Sequence, residues 1–191
     1  MIFLSTFIPL FIAIDPVGLL PIFVSLTADL EERRRKNIVW ESIIAGFLLA
    51  VGFLFLGKSF LRILGIKKED FLIAGGVILF ILGVYDLIFP EKRKGFTTSL
   101  IEGVVPLGVP LLVGPAVLTT ILLLVDNYGV LLTFFSLTLN LLLAGIFLIK
   151  SRFIVKLLGR RGIKVISKLM SLILSALGIR LIREGLSIFL Q

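Results

Sequence analysis

Asp15-Pro16-Val17-Gly18-Leu19-Leu20-Pro21 interrupts an otherwise apolar run that extends from about residue 1 to residue 27. Pro16 has no N–H to give a helix, and a residue preceding proline is pushed out of the α region. Gly18 adds backbone freedom two residues further on. The stretch therefore reads as a stop and a restart, with Asp15 as N-cap and Pro16 as the first residue of a second half-helix. Gly114-Pro115-Ala116-Val117-Leu118-Thr119-Thr120, preceded by Pro106 and Pro110, does the same in a later apolar run. Both runs break about halfway along their length.

The rest of the chain says what solvent surrounds those breaks. Of 191 residues 58% are hydrophobic, and the mean hydropathy of +1.16 exceeds what one soluble core could hide. The bilayer is the expected solvent. Six apolar segments can be read, at about 1–27, 38–60, 70–89, 101–125, 128–149 and 165–190, each near the roughly 18 residues a membrane helix needs. Alternation with a period of two is absent, which excludes a β-barrel. Met1 leads directly into apolar residues with no basic stretch before them, so the first segment is expected to be retained.

Net charge is +8, yet the basic residues fall between the apolar spans and are not interleaved with aromatics. That pattern suits anionic lipid and membrane orientation, and no nucleic-acid partner is expected. The first, third and fifth loops (Arg33 to Lys36, Lys92 to Lys94, and Lys150 to Lys168) carry fourteen Lys and Arg, against four (Lys58, Arg62, Lys67, Lys68) in the second and none in the fourth. By the positive-inside rule the odd-numbered loops are cytoplasmic and both termini lie outside an inner, or cell, membrane. The scarcity of Asn and Gln hints at a hot habitat.

The two halves match. Asp15-Pro16 corresponds to Gly114-Pro115, and Glu41 with Ala45-Gly46 to Asn140 with Ala144-Gly145, both at an offset of 99. Gly76 and Gly83 correspond to Ser171 and Gly178 at an offset of 95. Each half holds three spans, so the second must thread the membrane in the opposite sense to the first. The fold expected is an all-α membrane protein of six transmembrane helices, arranged as two inverted three-helix repeats, residues 1–95 and 96–191, with helices 1 and 4 discontinuous. Such pairs support alternating access to a central site.

Two half-helix N-termini meeting at mid-bilayer would each present free N–H groups and about half a positive charge. They form a site for a carboxylate or another anion. Asp15 partly neutralises one terminus, whereas Gly114 leaves the other bare, so a zwitterion fits. Its carboxylate would lie on the Gly114 side with Thr119 or Thr120, and its ammonium, or a coupling cation, by Asp15. The substrate-binding set expected is Asp15, Pro16, Gly18, Gly114, Pro115, Ala116, Thr119 and Thr120, with Asp15, Glu41 and Asn140 as candidates for coupling or a polar pathway. Asp15 could equally be a cap without ligand contact, Glu41 an interfacial residue paired with a nearby base, and Asn140 an interhelical hydrogen bond. Asp86, after Tyr85, reads as a cap or a snorkelling residue beside Lys92 to Lys94, because the Gly-x-Gly-Asp partner of an aspartyl protease is missing. Arg180, Arg183 and Glu184 read as a structural charge cluster, and Gly76, Gly83, Ser171, Ser175 and Gly178 as small residues for close packing.

Enzyme chemistry lacks its parts. With no His and no Cys there is no His-dependent Ser triad, no H-E-x-x-H zinc site and no thiol chemistry; no cofactor or metal is expected. No G-x-x-x-x-G-K-[ST] loop binds ATP, so any pumping must draw on an ion gradient or a partner.

The proline motifs at residues 15–21 and 105–115, together with Ala74-Gly75-Gly76 opening the third helix, resemble the MarC family, which includes the SnatA-type small neutral amino acid transporters. The resemblance spans the chain. It implies a six-helix inverted-repeat secondary transporter for amino acids of the glycine, alanine and serine class, coupled to protons. Ala116 departs from it, where a second Gly would follow Gly114-Pro115, and so does Arg180, where an uncharged polar residue would stand. The rival readings are a channel or passive permease for another small solute, which could use the same broken helices, and a membrane scaffold.

Overall fold

The computed structural model describes residues 2–28, 30–88 and 112–190. Among them the chain forms seven helices and no strand: α1 Ile2–Ile14, α2 Pro16–Leu26, α3 Glu32–Ile63, α4 Lys68–Ile88, α5 Pro115–Tyr128, α6 Val130–Ile149 and α7 Ser151–Phe189. Five stretches are long and apolar enough to cross a membrane: Ile2–Leu26 with α1 and α2 taken as one run, Glu32–Ile63, Lys68–Ile88, Val130–Ile149 and Arg161–Phe189. Helix α5 has 14 residues, about 21 Å, which falls short of a hydrocarbon core of roughly 30 Å. Most of the expected first part of that fourth segment, with Pro106 and Pro110, lies outside the described residues, as do Lys92 to Lys94 and the boundary expected at 95/96.

One expected start moves. Helix α3 begins at Glu32 rather than near residue 38, so Arg33 to Lys36 belong to its first turns and not to a loop. Arg and Lys are good helix formers, and Glu32 pairs with Lys36 one turn on at 2.7 Å. The run Ser151–Phe189 is broken at Gly159, whose φ of 67° and ψ of 167° are not helical and suit glycine; a short basic helix precedes the break, and the apolar span that follows begins at Arg161, close to the start expected near 165. Hydropathy marks where lipid begins, and helix continues beyond it into the interface.

Helix α5 sits in the middle. Eight of its residues, Ala116, Val117 and Thr119 to Leu124, are buried, so it is enclosed on all sides. One apolar cluster joins Val117, Ile121 and Leu124 to α1, α2, α3 and α6 through Leu10, Ile14, Leu19, Val39 and Leu141. A second joins Ala116 and Leu123 to Leu72 and Leu79 of α4 and Leu174 and Leu181 of α7. Around this centre, side chains such as Leu48, Leu56, Leu131 and Phe153 face outward, as a lipid solvent requires.

Helices α4 and α7 share the most extensive contact in the fold. They touch backbone to backbone. A Cβ on Gly76 would lie 2.7 Å from the carbonyl oxygen of Gly178, a Cβ on Gly178 would lie 2.6 Å from that of Gly76, and a Cβ on Gly83 would lie 2.6 Å from that of Ser171. Helices also meet at the two ends of the bundle. At one end Arg35 at the start of α3 donates to Thr27 Oγ1 (3.1 Å) and Ser151 Oγ (3.0 Å), and Arg152 donates to the carbonyls of Thr27 (3.3 Å) and Ala28 (3.0 Å). At the other, Asp126 pairs with both Lys58 and Lys68. The first and fifth loops therefore share one face, and the second and fourth share the other.

Candidate functional site

The α1/α2 junction is built around one carboxylate. Asp15 adopts the left-handed conformation, φ 49° and ψ 56°, and it is the only described non-glycine residue with positive φ. Its own N–H donates to Phe11 O at 3.0 Å and its carbonyl accepts from Leu19 at 3.1 Å, so backbone bonding survives on both sides of the turn. Its side chain, in a residue only 4% exposed, accepts from the Gly18 N–H at 3.0 Å. Asp15 is thus an N-cap, with Pro16 at the position where a missing N–H costs nothing. Gly18 is required there for space, because a Cβ at 18 would overlap the Asp15 carboxylate.

The start of α5 differs. Gly114 is extended, φ −97° and ψ −174°, and brings no side chain to the cap. Its carbonyl accepts from Val117 (3.0 Å) and Leu118 (3.2 Å), and Pro115 takes the first helical position. Ile14 and Leu19, either side of Asp15, and Val113 and Val117, either side of Gly114, belong to the same extended apolar cluster. A buried carboxylate therefore lies near one helix start and none is supplied by the other.

Thr119 and Thr120 are fully buried, and each hydroxyl donates back to its own helix, to Pro115 O and Ala116 O respectively, both at 2.8 Å. Thr119 also fills the notch left by Gly75, where a Cβ would collide with it. Ala116 turns its methyl toward α4 and α7 in the second apolar cluster, so its departure from glycine is taken up by packing.

Glu41 and Asn140 are not brought together. Glu41 is exposed on α3, 3.6 Å from Arg34, whereas Asn140 is 1% exposed and donates to Phe7 O (3.0 Å) and Ser136 O (2.9 Å). Two carbonyls around Nδ2 fix the amide's orientation, which leaves Asn140 Oδ1 buried with no hydrogen-bond partner among the described residues. Beside it Thr6 Oγ1 and Ser136 Oγ lie 2.6 Å apart across α1 and α6. Sequence reading missed this pair; Thr133, Ser136 and Asn140 at helical spacing on one face of α6 were the available signal. Asp86, in the last turn of α4, is buried, and the bases Lys92 to Lys94 expected beside it lie outside the described residues; Arg180 and Arg183 are exposed on α7.

Comparison with known proteins finds a family and relatives described as membrane proteins. The model of the "MarC family integral membrane protein" family matches residues 1–190. A UPF0056 membrane protein of Buchnera aphidicola subsp. Schizaphis graminum is 35% identical, covering 96% of this chain and 95% of its own. The UPF0056 inner membrane protein YhgN of Escherichia coli K12 is 32% identical over 98% of both chains, and a UPF0056 membrane protein of Archaeoglobus fulgidus is 31% identical over 97% and 92%. No solved structure matches. With apolar helices long enough to span a bilayer and a family match along its length, the chain is an integral membrane protein and belongs to the MarC family.

Proposed function

We propose that this chain is a secondary transporter of small neutral amino acids, of the glycine, alanine and serine class, coupled to protons. In this reading it spans the inner membrane six times with both termini outside, α1 and α2 are one discontinuous helix, and α5 is the second half of another. The substrate lies between the starts of α2 and α5, held by Asp15, Pro16, Gly18, Gly114, Pro115, Ala116, Thr119 and Thr120.

One observation carries the proposal. The repeat offset of 95 sends Gly76 to Ser171 and Gly83 to Gly178, and the contact of Gly76 with Gly178 is thereby exchanged with that of Gly83 with Ser171. A contact that maps onto itself is what a two-fold axis between halves produces. Four of the helix contacts follow the same exchange: α2 packs on α6 and α7 as α5 packs on α3 and α4. Inverted repeats of this kind support alternating access around a fixed central site.

The chemistry follows from the unequal helix starts. At the start of α5, which has no capping side chain, Val117 and Leu118 already bond Gly114 O, so the Ala116 N–H and the positive end of the helix dipole are what suit a carboxylate. Thr119 and Thr120, expected from the sequence to receive the carboxylate, change role in this reading: both hydroxyls already donate to carbonyls, so toward a ligand they offer lone pairs, which together with Asp15 suit an ammonium group. The substrate class comes from the likeness to SnatA-type members. Purified protein in proteoliposomes should take up glycine, alanine or serine saturably and accumulate it when a proton gradient is imposed. Simple equilibration of solute would replace transport with a channel, and absence of uptake across the amino acids would remove the proposal.

A further inference from the structure

The two ends of the bundle are tied by different chemistry at corresponding places. Thr27 is the C-cap of α2, and Asp126 lies in the last turn of α5. Their numbers differ by 99, the offset that relates Asp15 to Gly114. Each ends the half-helix that begins at the candidate site.

Their partners come from helix junctions that occupy the same place in each half. Thr27 is held from the junction of α6 and α7, where Arg152 donates to its carbonyl at 3.3 Å, and through Arg35, which bridges Thr27 Oγ1 (3.1 Å) to Ser151 Oγ (3.0 Å). Asp126 is held from the junction of α3 and α4, by Lys58 and Lys68. The two junctions correspond in helix order, second to third helix of each half, although the tying residues themselves do not align at either offset. Each tie therefore runs from one half of the chain to the other, and the two lie on opposite faces. Beneath them Phe23, with its ring centroid 5.7 Å from the Arg35 guanidinium carbon, and Leu122, which lines a cavity of about 510 Å³ with Lys58, Lys68 and Asp126, are again 99 residues apart.

Resting on the transport reading above, we infer that these ties are the two gates of the pathway: Asp126 with Lys58 and Lys68 closes one face, and Thr27 with Arg35, Ser151 and Arg152 closes the other. Both are formed in this structure. Opening a face means releasing its tie, and because the halves move as exchange partners, release at one end favours closure at the other. The gates differ in kind. One is an ion pair, which salt screens; the other gives two arginines only neutral oxygens, which salt affects little.

The chain contains no cysteine, so single cysteines report without removing any. Phe23→Cys and Leu122→Cys, in the full chain in oriented vesicles, are labelled with a membrane-impermeant thiol reagent from each face. Asp126→Asn should speed labelling of Leu122→Cys from the α3–α4 face by roughly an order of magnitude and slow labelling of Phe23→Cys from the other. Lys58→Gln should act in the same direction, Arg35→Gln in the opposite one, and Asp126→Glu should leave both rates near those of the parent. A rise at Leu122→Cys with Phe23→Cys unchanged, or a rise at both, overturns the proposal, since either is local fraying or loss of fold. Reciprocal labelling in a chain that takes up no amino acid would keep the gates and discard the substrate; saturable uptake without reciprocal labelling would do the reverse.

Discussion

At one helix start in this molecule a carboxylate is folded back onto the backbone, and at the other there is only glycine. The Asp15 side is sealed: a left-handed turn, a side chain bonded to the Gly18 N–H and a glycine that leaves the carboxylate room. The Gly114 side is extended and open, with its first turn capped by no side chain. Had both starts needed only to end a helix cleanly, the same capping residue would serve at each. Their difference teaches that the pair is electrically directional, one end supplying negative charge and the other leaving a helix terminus uncompensated.

Substitutions can break or sharpen that contrast, and we take them from the largest effect down. Gly18→Val places branched carbons where the Asp15 carboxylate lies, losing the cap and overpacking the junction; we expect about 2–4 kcal/mol of destabilisation by chemical denaturation and no measurable uptake. Gly114→Asp makes the two starts alike. Extended φ accepts an aspartate, so thermal stability should hold or rise by about 1 kcal/mol while affinity for a carboxylate substrate falls tenfold or more in equilibrium binding. Asp15→Asn keeps an accepting oxygen for the Gly18 N–H and removes only the charge. Stability should change by less than about 0.5 kcal/mol, whereas uptake and its pH dependence should shift, and an unchanged affinity and pH profile would remove Asp15 from the ligand site. Thr120→Val deletes one hydroxyl bonded to Ala116 O and should cost about 1 kcal/mol, seen in the melting temperature, with a modest rise in KM.

Much of this contrast was legible in the sequence, because proline and glycine act locally. Asp15-Pro16 and Gly114-Pro115 announce helix starts through covalent geometry alone, and the match between halves placed Gly76 and Gly83 on packing faces before any contact was known. Other features depend on partners more than a hundred residues away. Thr6 is an ordinary hydroxyl in an apolar run until Ser136 is set against it, and Arg35 is one of four consecutive bases until Thr27 and Ser151 surround it. The start of α3 was misplaced for a simpler reason, that hydropathy measures lipid contact and charged residues continue a helix at little loss of propensity. Glu41 and Asn140 align in sequence, yet one is exposed and the other buried, since alignment carries depth along a helix and says little about facing.

The packing of α4 against α7 has a consequence for how such a molecule could come into being. Its pairs, Gly76 with Gly178 and Gly83 with Ser171, are indifferent to which strand of the contact belongs to which half. Two separate copies of the first three-helix unit, inserted in opposite orientations, would set Gly76 of each against Gly83 of the other and bury an equivalent surface. The covalent link between the halves then adds proximity, while the recognition is already written into each of them.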